Sequence, residues 1–263
     1  MTDLNNHYNI GLAVAAYDLF AGGGMLTGDI EFYLDCATRF GDPVLEIGVG
    51  TGRVLLPLIN AGYEVVGLDL SSKMLKVAAE KMLAHPEAAT RAHLIEADMT
   101  NFDLGRQFSL VMITARSFQH VVTPKEQRST LSCVRRHMTI GDHLVLDLFD
   151  PSFEVLFGEN TKTLPVRTAH DPGSGQKIRR SRVSIDVDPQ RQTVRETLLF
   201  EAIDERDKVV AKEEASWTLR WSSRQEIAYL LELTGFEVVD EFSDFSCSAP
   251  AYAREQLWIA RAT

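Results

Sequence analysis

Cysteine is scarce: three occur in 263 residues (Cys36, Cys133 and Cys247), far apart and odd in number. That excludes a disulfide framework and any Cys-x-x-Cys zinc pattern, and it fits a reducing compartment. A long apolar run is also missing, since nothing approaches the ~18 residues that a membrane span needs. The opening stretch MTDLNNHYNI lacks the basic segment and apolar block of a secretory signal. A cytoplasmic protein with no membrane partner is therefore expected. Positive charge is in deficit, 27 basic against 37 acidic residues, a net charge of −10. Such a balance argues against non-specific attraction to nucleic-acid phosphate, and no nucleic-acid partner is expected. The remaining composition is ordinary, 45% apolar and 24% charged, which excludes disordered, collagen-like and coiled-coil chains.

What is present is an alternation. Residues 43–47 (PVLEI) form a short apolar run ending at a glycine cluster, which reads as a buried strand and a turn. A helix over 52–61, a strand over 63–69 and a helix over 72–85, capped by Ser71 or Ser72, follow. Strands are expected at 93–98, 108–114 and 142–149, with a helix over 123–138 that has Pro124 near its first turn. Strands alternating with helices at this spacing imply right-handed βαβ units and a parallel sheet. Between 151 and 221 the pattern switches to apolar–polar alternation, which predicts an antiparallel meander of about three strands with one wet face. A helix over 222–235, capped by Ser222 or Ser223, and strands over 236–242 and 256–262 close the chain. The division expected is a helical lid over 1–40 hinged at Gly22–Gly24, a core of 41–150 plus 222–263, and the inserted sheet over 151–221. The short basic run Lys177–Arg182 lies in an acidic chain and reads as a solvated strand edge.

The chemistry is carried by Val44-Leu45-Glu46-Ile47-Gly48-Val49-Gly50-Thr51-Gly52. Glycines at every second position let backbone approach a ligand and expose N–H groups at a helix start. The dinucleotide pattern G-x-G-x-x-G fails, because position 53 is arginine and position 55 leucine. The phosphate-loop pattern fails too, since no Gly-Lys-Ser/Thr follows. Two further acids end the next two strands, Asp69 in VVGLDLS and Asp98 in LIEADM. Taken singly, an aspartate in such a place is often only a helix cap or turn residue. Three features at the ends of three successive strands are a stronger signal, because ligands of such sheets sit at the carboxyl ends of the strands.

The order E-x-G-x-G-x-G after a strand resembles motif I of the class I S-adenosylmethionine-dependent methyltransferases. The resemblance covers about residues 41–150 and 222–263. It implies a Rossmann-like α/β fold: a seven-stranded, mostly parallel sheet with helices on both faces and the last strand antiparallel. It also implies S-adenosyl-L-methionine as cofactor and S-adenosyl-L-homocysteine as product. By the resemblance Glu46 organises the glycine loop and reaches the methionine amino group, while Gly48, Gly50 and Thr51 pass beneath the methionyl and ribose parts. Asp69 takes the ribose hydroxyls. Leu70 and Met74 touch the adenine, Asp98 its amino group, and Ala97 and Met99 its edges. Thr114 lines the same site, and Tyr17, in an early Tyr-Asp pair, helps close over the methionyl end.

Within that family the layout resembles small-molecule N-methyltransferases, the amino-sugar type above all. Ser117-x-x-His120 and the meander after strand five carry that likeness, although the Trp-Trp of those enzymes is replaced by Leu148-Phe149-Asp150-Pro151. The Asn/Asp-Pro-Pro-Tyr of nucleic-acid amino-methyltransferases is absent, and Thr114 and Ala115 stand where the catechol type has a metal-binding carboxylate, so no metal is expected. The acceptor expected is a nitrogen or oxygen of a small molecule. Histidine titrates near neutrality, which makes His120 the candidate base. Arg116 and Phe118 are the candidate substrate contacts. A homodimer is among the expected assemblies. The alternatives are an RNA or protein methyltransferase, and a non-catalytic cofactor-binding protein on the same fold.

Overall fold

A computed structural model describes residues 7–21, 26–158 and 166–263. In chain order its elements are α1 (Gly11–Ala15), α2 (Tyr17–Ala21), α3 (Asp29–Phe40), β1 (Val44–Ile47), α4 (Leu55–Asn60), β2 (Val65–Asp69), α5 (Ser72–Met82), α6 (Pro86–Ala89), β3 (Ala92–Glu96) and β4 (Leu110–Ile113). There follow α7 (Pro124–Arg136), β5 (His143–Phe149), α8 (Phe153–Phe157), β6 (Arg167–His170), β7 (Lys177–Asp188), β8 (Thr193–Ile203), β9 (Val209–Arg220), α9 (Arg224–Leu233), β10 (Phe236–Phe242) and β11 (Glu255–Ala262). The chain divides into two compact units: residues 26–150 with 221–263, and α1, α2 and α8 with β6–β9.

The larger unit is built on a seven-stranded sheet of order β10-β11-β5-β4-β1-β2-β3. The pairs β1–β2, β1–β4, β2–β3 and β4–β5 are parallel, and β11 is antiparallel to both its neighbours. This is the expected fold. The central strands are continuous apolar runs because both sheet faces are covered. Leu45, Ile47, Val111, Ile113, Leu144, Leu146 and Leu148 face one core, with Leu131 and Val134 of α7 and Ile227 and Leu231 of α9. Val44, Leu110, Met112 and Val145 alternate onto the other, against Phe32, Tyr33, Cys36 and Ala37 of α3 and Leu55 and Leu58 of α4. Local chemistry sets the helix starts. Ser71 caps α5 by accepting the Met74 N–H, and Thr123 caps α7 ahead of Pro124. Ser223 and Glu226 form a reciprocal capping box on α9. The helix expected over 52–61 is shorter, starting at Leu55.

The smaller unit holds a four-stranded antiparallel sheet in sequential order, β6-β7-β8-β9. Ala13, Ala16 and Phe20 of α1 and α2 pack on Ile178, Leu198, Phe200, Ala202 and Ala215. Glu213 of β9 accepts the Leu12 N–H at the first turn of α1. Two expectations are corrected here. The meander has four strands, because the short polar β6 pairs with β7 through Arg167↔Arg180. The first forty residues are not one element: α3 belongs to the larger unit, while α1 and α2 belong with the inserted sheet. The expected hinge at Gly22–Gly24 lies outside the described residues. In the basic run, Lys177, Arg179 and Arg182 pair with Asp207, Glu201 and Glu196, and Arg180 lies over the Phe20 ring. No helix of the described residues is long and apolar enough to cross a membrane.

Candidate active site

The site is assembled at the carboxyl ends of β1, β2, β4 and β5. The chain leaves β1 at Ile47 and turns at once, with the Gly48 N–H donating to the Leu68 carbonyl at 2.7 Å. Gly48 has φ +74°, and an added Cβ would lie 2.4 Å from the Ser117 Oγ. Only glycine fits both the left-handed backbone and that close approach. The Gly50 N–H then donates to Asp69 Oδ2 at 2.8 Å, and the Ser71 N–H donates to Asp69 Oδ1 at 2.8 Å. Asp69 therefore holds the glycine loop and the start of α5 with one lone pair from each oxygen. A carboxylate has further acceptor capacity on both. Burial raises its pKa, and these N–H bonds oppose the rise. Leu70, the next residue, is 67% exposed, an uncovered apolar side chain beside a polar cradle.

Glu46 is 1% exposed. Its Oε1 accepts the Thr114 hydroxyl at 3.1 Å, and its Oε2 has no hydrogen-bond partner. Burial pushes its pKa up from 4.5 to about 8, against the opposing pull of the Thr114 bond and the Arg53 guanidinium. An acid kept this way has a reason to meet a cation, since an unmatched buried oxygen costs about 1–3 kcal/mol. Arg53 itself is anchored by the buried Asp29 at the start of α3, with Nη1 donating to Oδ1 at 3.1 Å and Nη2 to Oδ2.

After β4 the backbone takes an unusual path. Ala115 (φ +53°) and Arg116 (φ +63°) are both left-handed without being glycine, at about 1–2 kcal/mol each. A short 3-10 helix over Ser117–His120 follows. The turn is held from β5. The Arg116 N–H donates to Asp147 Oδ2 at 2.8 Å, and Gln119 exchanges bonds with the Phe149 backbone, accepting its N–H at 2.8 Å and donating to its carbonyl at 3.2 Å. Asp147 is fully buried and also accepts the Tyr33 hydroxyl from α3.

The structure brings Glu46, Gly48, Gly50, Asp69 and Thr114 into one hydrogen-bonded loop system. Thr51 is buried behind it, its carbonyl accepting from Lys81 Nζ at 3.0 Å. Met74 is 1% exposed in the first turn of α5. Ala97 and Met99 are half-buried against the core. Asp98 lies two residues past the end of β3, exposed, with Oδ1 accepting the Thr100 N–H at 2.8 Å. His120 is half-buried at the end of the 3-10 helix. Tyr17 belongs to the other unit, edge-on to Tyr8 with ring centroids 6.3 Å apart. The two expected substrate contacts are placed otherwise. Phe118 is fully buried in the sheet core, so the 3-10 turn makes it a packing residue. The Arg116 guanidinium is committed to Glu255 of β11, with Nε donating at 3.2 Å, and lies over the Phe149 ring at 4.7 Å. Sequence reasoning missed Ser117 against Gly48, the Arg53–Asp29 pair and the Tyr33–Asp147 pair. The signal for the last was a lone acid inside the buried strand HLVLDLF. Among the described residues, no group of three or more His, Cys, Asp or Glu side chains is placed to hold a metal.

Residues 44–141 match the family model described as a methyltransferase domain. The fold is that of the S-adenosylmethionine-dependent methyltransferases. It superposes on the CcbJ methyltransferase of Streptomyces caelestis with TM-score 0.78, at 23% identity, covering 98% of each chain. It also superposes on the sugar N-methyltransferase KedS8 of Streptoalloteichus sp. (TM-score 0.71, 21% identity, 94% of this chain and 92% of that one). A third similar structure is CalS10 with S-adenosylmethionine bound, an amino pentose methyltransferase (TM-score 0.68, 19% identity, 97% of this chain and 98% of that one). In sequence the chain is 27% identical over 116 residues to the methyltransferase YrrT of Bacillus subtilis, 44% of this chain and 51% of that protein. It is 28% identical over 143 residues to the cypemycin N-terminal methyltransferase of a Streptomyces species, 53% of this chain and 56% of that protein. The chain thus spans about half the length of these curated relatives.

Proposed function

We propose that this protein transfers a methyl group from S-adenosylmethionine to a nitrogen or oxygen of a small molecule. The observation that carries the reading is Glu46, fully buried, raised in pKa and with an unmatched Oε2 beside the glycine loop. Bound there, S-adenosylmethionine supplies an electrophilic methyl on a cationic sulfur. Glu46 takes the cofactor's ammonium, its Oε1 steadied by Thr114. Asp69, already fixed by two backbone N–H groups, offers its remaining lone pairs to the ribose hydroxyls. Leu70, Met74, Ala97 and Met99 offer apolar surface to the adenine, and Asp98 accepts from its amino group. Tyr17 is assigned to the methionyl end on resemblance.

With the methyl already activated, the chain's work is positioning and exclusion of water. An amine acceptor must be neutral to attack, and His120 takes its proton on a ring nitrogen. Phe118 supports this segment from the core. Arg116 supports it through Glu255. A nitrogen acceptor is favoured because KedS8 and CalS10, by their names, act on sugar nitrogen or on an amino pentose. A second reading, a peptide amine, is favoured by the cypemycin relative. A screen of amino sugars, small amines, phenols and peptides, scored by release of S-adenosylhomocysteine, tests this. Turnover of an amino sugar or small amine is expected. Turnover of peptides alone would favour the second reading, and turnover of none alongside tight cofactor binding would favour a non-catalytic protein.

A further inference from the structure

The turn that follows β4 is expensive and central. Its two left-handed residues lead straight into Ser117, whose Oγ fills the space a Cβ on Gly48 would need, and then to His120. Whatever holds this turn therefore sets the floor of the glycine loop and the place of the candidate base. Two groups on β5 hold it. One is the Phe149 backbone, bonded to Gln119. The other is Asp147. Register explains the second: Met112 of β4 pairs with Val145 of β5, so two residues on, Thr114 and Asp147 fall side by side on the sheet face that carries Glu46.

We propose that Asp147 is a positioning residue. Its carboxylate, shared between the Tyr33 hydroxyl and the Arg116 N–H, fixes the Ala115–Arg116 turn and through it the seat of Ser117 on Gly48. This rests on the cofactor reading above. The arrangement uses both oxygens, one donor on each. A neutral acid or an amide has one oxygen fewer to offer as a full acceptor. The surroundings make the charge conditional. Burial raises the Asp147 pKa from 3.8 to about 7, and Glu255 of β11 pushes the same way. The Tyr33 hydroxyl of α3 and the Arg116 guanidinium and N–H pull it back. Burial and Asp147 hold the Tyr33 pKa up, and Asp29 at the start of α3 adds to the rise. The carboxylate is ionised above about pH 7 and takes a proton below it, so the clamp weakens as pH falls.

Two measurements test this. The first is affinity for S-adenosylhomocysteine by calorimetry at pH 8.5, where the carboxylate is ionised. Asp147→Asn is expected to bind about 10-fold more weakly than the wild type. The Gln119–Phe149 bonds remain in that variant, and its fold is checked by circular dichroism. The second is the Arg116 amide resonance of the cofactor-free protein between pH 5.5 and 9. In the wild type it titrates near 7. In Tyr33→Phe, which keeps the carboxylate and loses one donor, the inflection moves to higher pH. In Asp147→Asn it is absent. Should Asp147→Asn not fold, the Tyr33→Phe titration still decides. Equal affinity in wild type and Asp147→Asn, or an Arg116 amide that does not titrate in the wild type, overturns the proposal. A wild type whose Arg116 amide titrates as expected but that binds no cofactor overturns the reading of the site instead.

Discussion

Replacing Glu46 by glutamine should make the protein more stable and a poorer binder of its cofactor. The carboxyl titrates at about 8 in the fold against 4.5 for an ordinary glutamate. At pH 7 the unfolded chain carries it ionised and the folded chain carries it mostly protonated, so folding takes up a proton. The sign follows: at this group the folded state binds more protons, so its contribution to stability is greatest below 4.5 and falls as pH rises to about 8. At about 1.36 kcal/mol per pH unit, the cost is roughly 3 kcal/mol at pH 7 and about 5 kcal/mol at pH 8 and above. Glutamine does not titrate, and its buried amide leaves an unmatched group worth about 1–3 kcal/mol against it. A net gain of about 1–2 kcal/mol at pH 7, some 2–8 °C in melting temperature, is expected. The assay is thermal unfolding of the cofactor-free wild type and Glu46→Gln at pH 5 and pH 8. The variant's advantage should be small or negative at pH 5 and larger at pH 8. An advantage that does not grow with pH would refute the buried-acid argument. The same variant should bind cofactor about 10- to 100-fold more weakly, because a hydrogen bond to a charged group is worth about 1.5–3 kcal/mol. Stability gained where function is lost is the usual mark of a functional site.

The other predictions test separate parts of the site. Asp69→Ala removes the acceptor for the Gly50 and Ser71 N–H groups along with the proposed ribose contact, and calorimetry should show cofactor affinity falling about 100-fold, or roughly 2.7 kcal/mol. Gly48→Ala places a Cβ 2.4 Å from the Ser117 Oγ at a left-handed backbone, and a chemical melt should show at least ~1–2 kcal/mol of lost stability with cofactor binding abolished. His120→Ala should lower kcat by about 10²–10⁴ with cofactor affinity within about 2-fold of wild type, and an unchanged kcat would remove His120 from the proton path.

The sheet was legible because buried parallel strands are continuous apolar runs that stop at turn residues, as VLEI and LVMI do. The helix starts were legible because Ser71 and Ser223 cap through bonds to residues three positions on, and because Pro124 sits in the first turn of α7. The strand β6 was not, since RTAH is short, polar and exposed at a sheet edge, with no alternation to read. The partner of α3 was not either: an amphipathic helix announces that it buries a face, and nothing in its own pattern says against which sheet. At the site, the places of Glu46 and Asp69 at two strand ends could be read, because each stands at the end of an apolar run, whereas the bond from Thr114 to Glu46 spans 68 residues and could not. The Tyr33–Asp147 bond joins residues 114 apart, and such a pair leaves no local pattern. Phe118 misled for a related reason. An apolar residue after a strand end looks like pocket lining until the backbone turn that points it into the core is known.

The most direct measurement is calorimetric titration of the wild type with S-adenosylmethionine and with S-adenosylhomocysteine at pH 8.5. Saturable binding of both to one site per chain, lost together in Asp69→Ala, is the result expected if Glu46, the glycine loop and Asp69 form a cofactor site. A folded wild type that binds neither would contradict it.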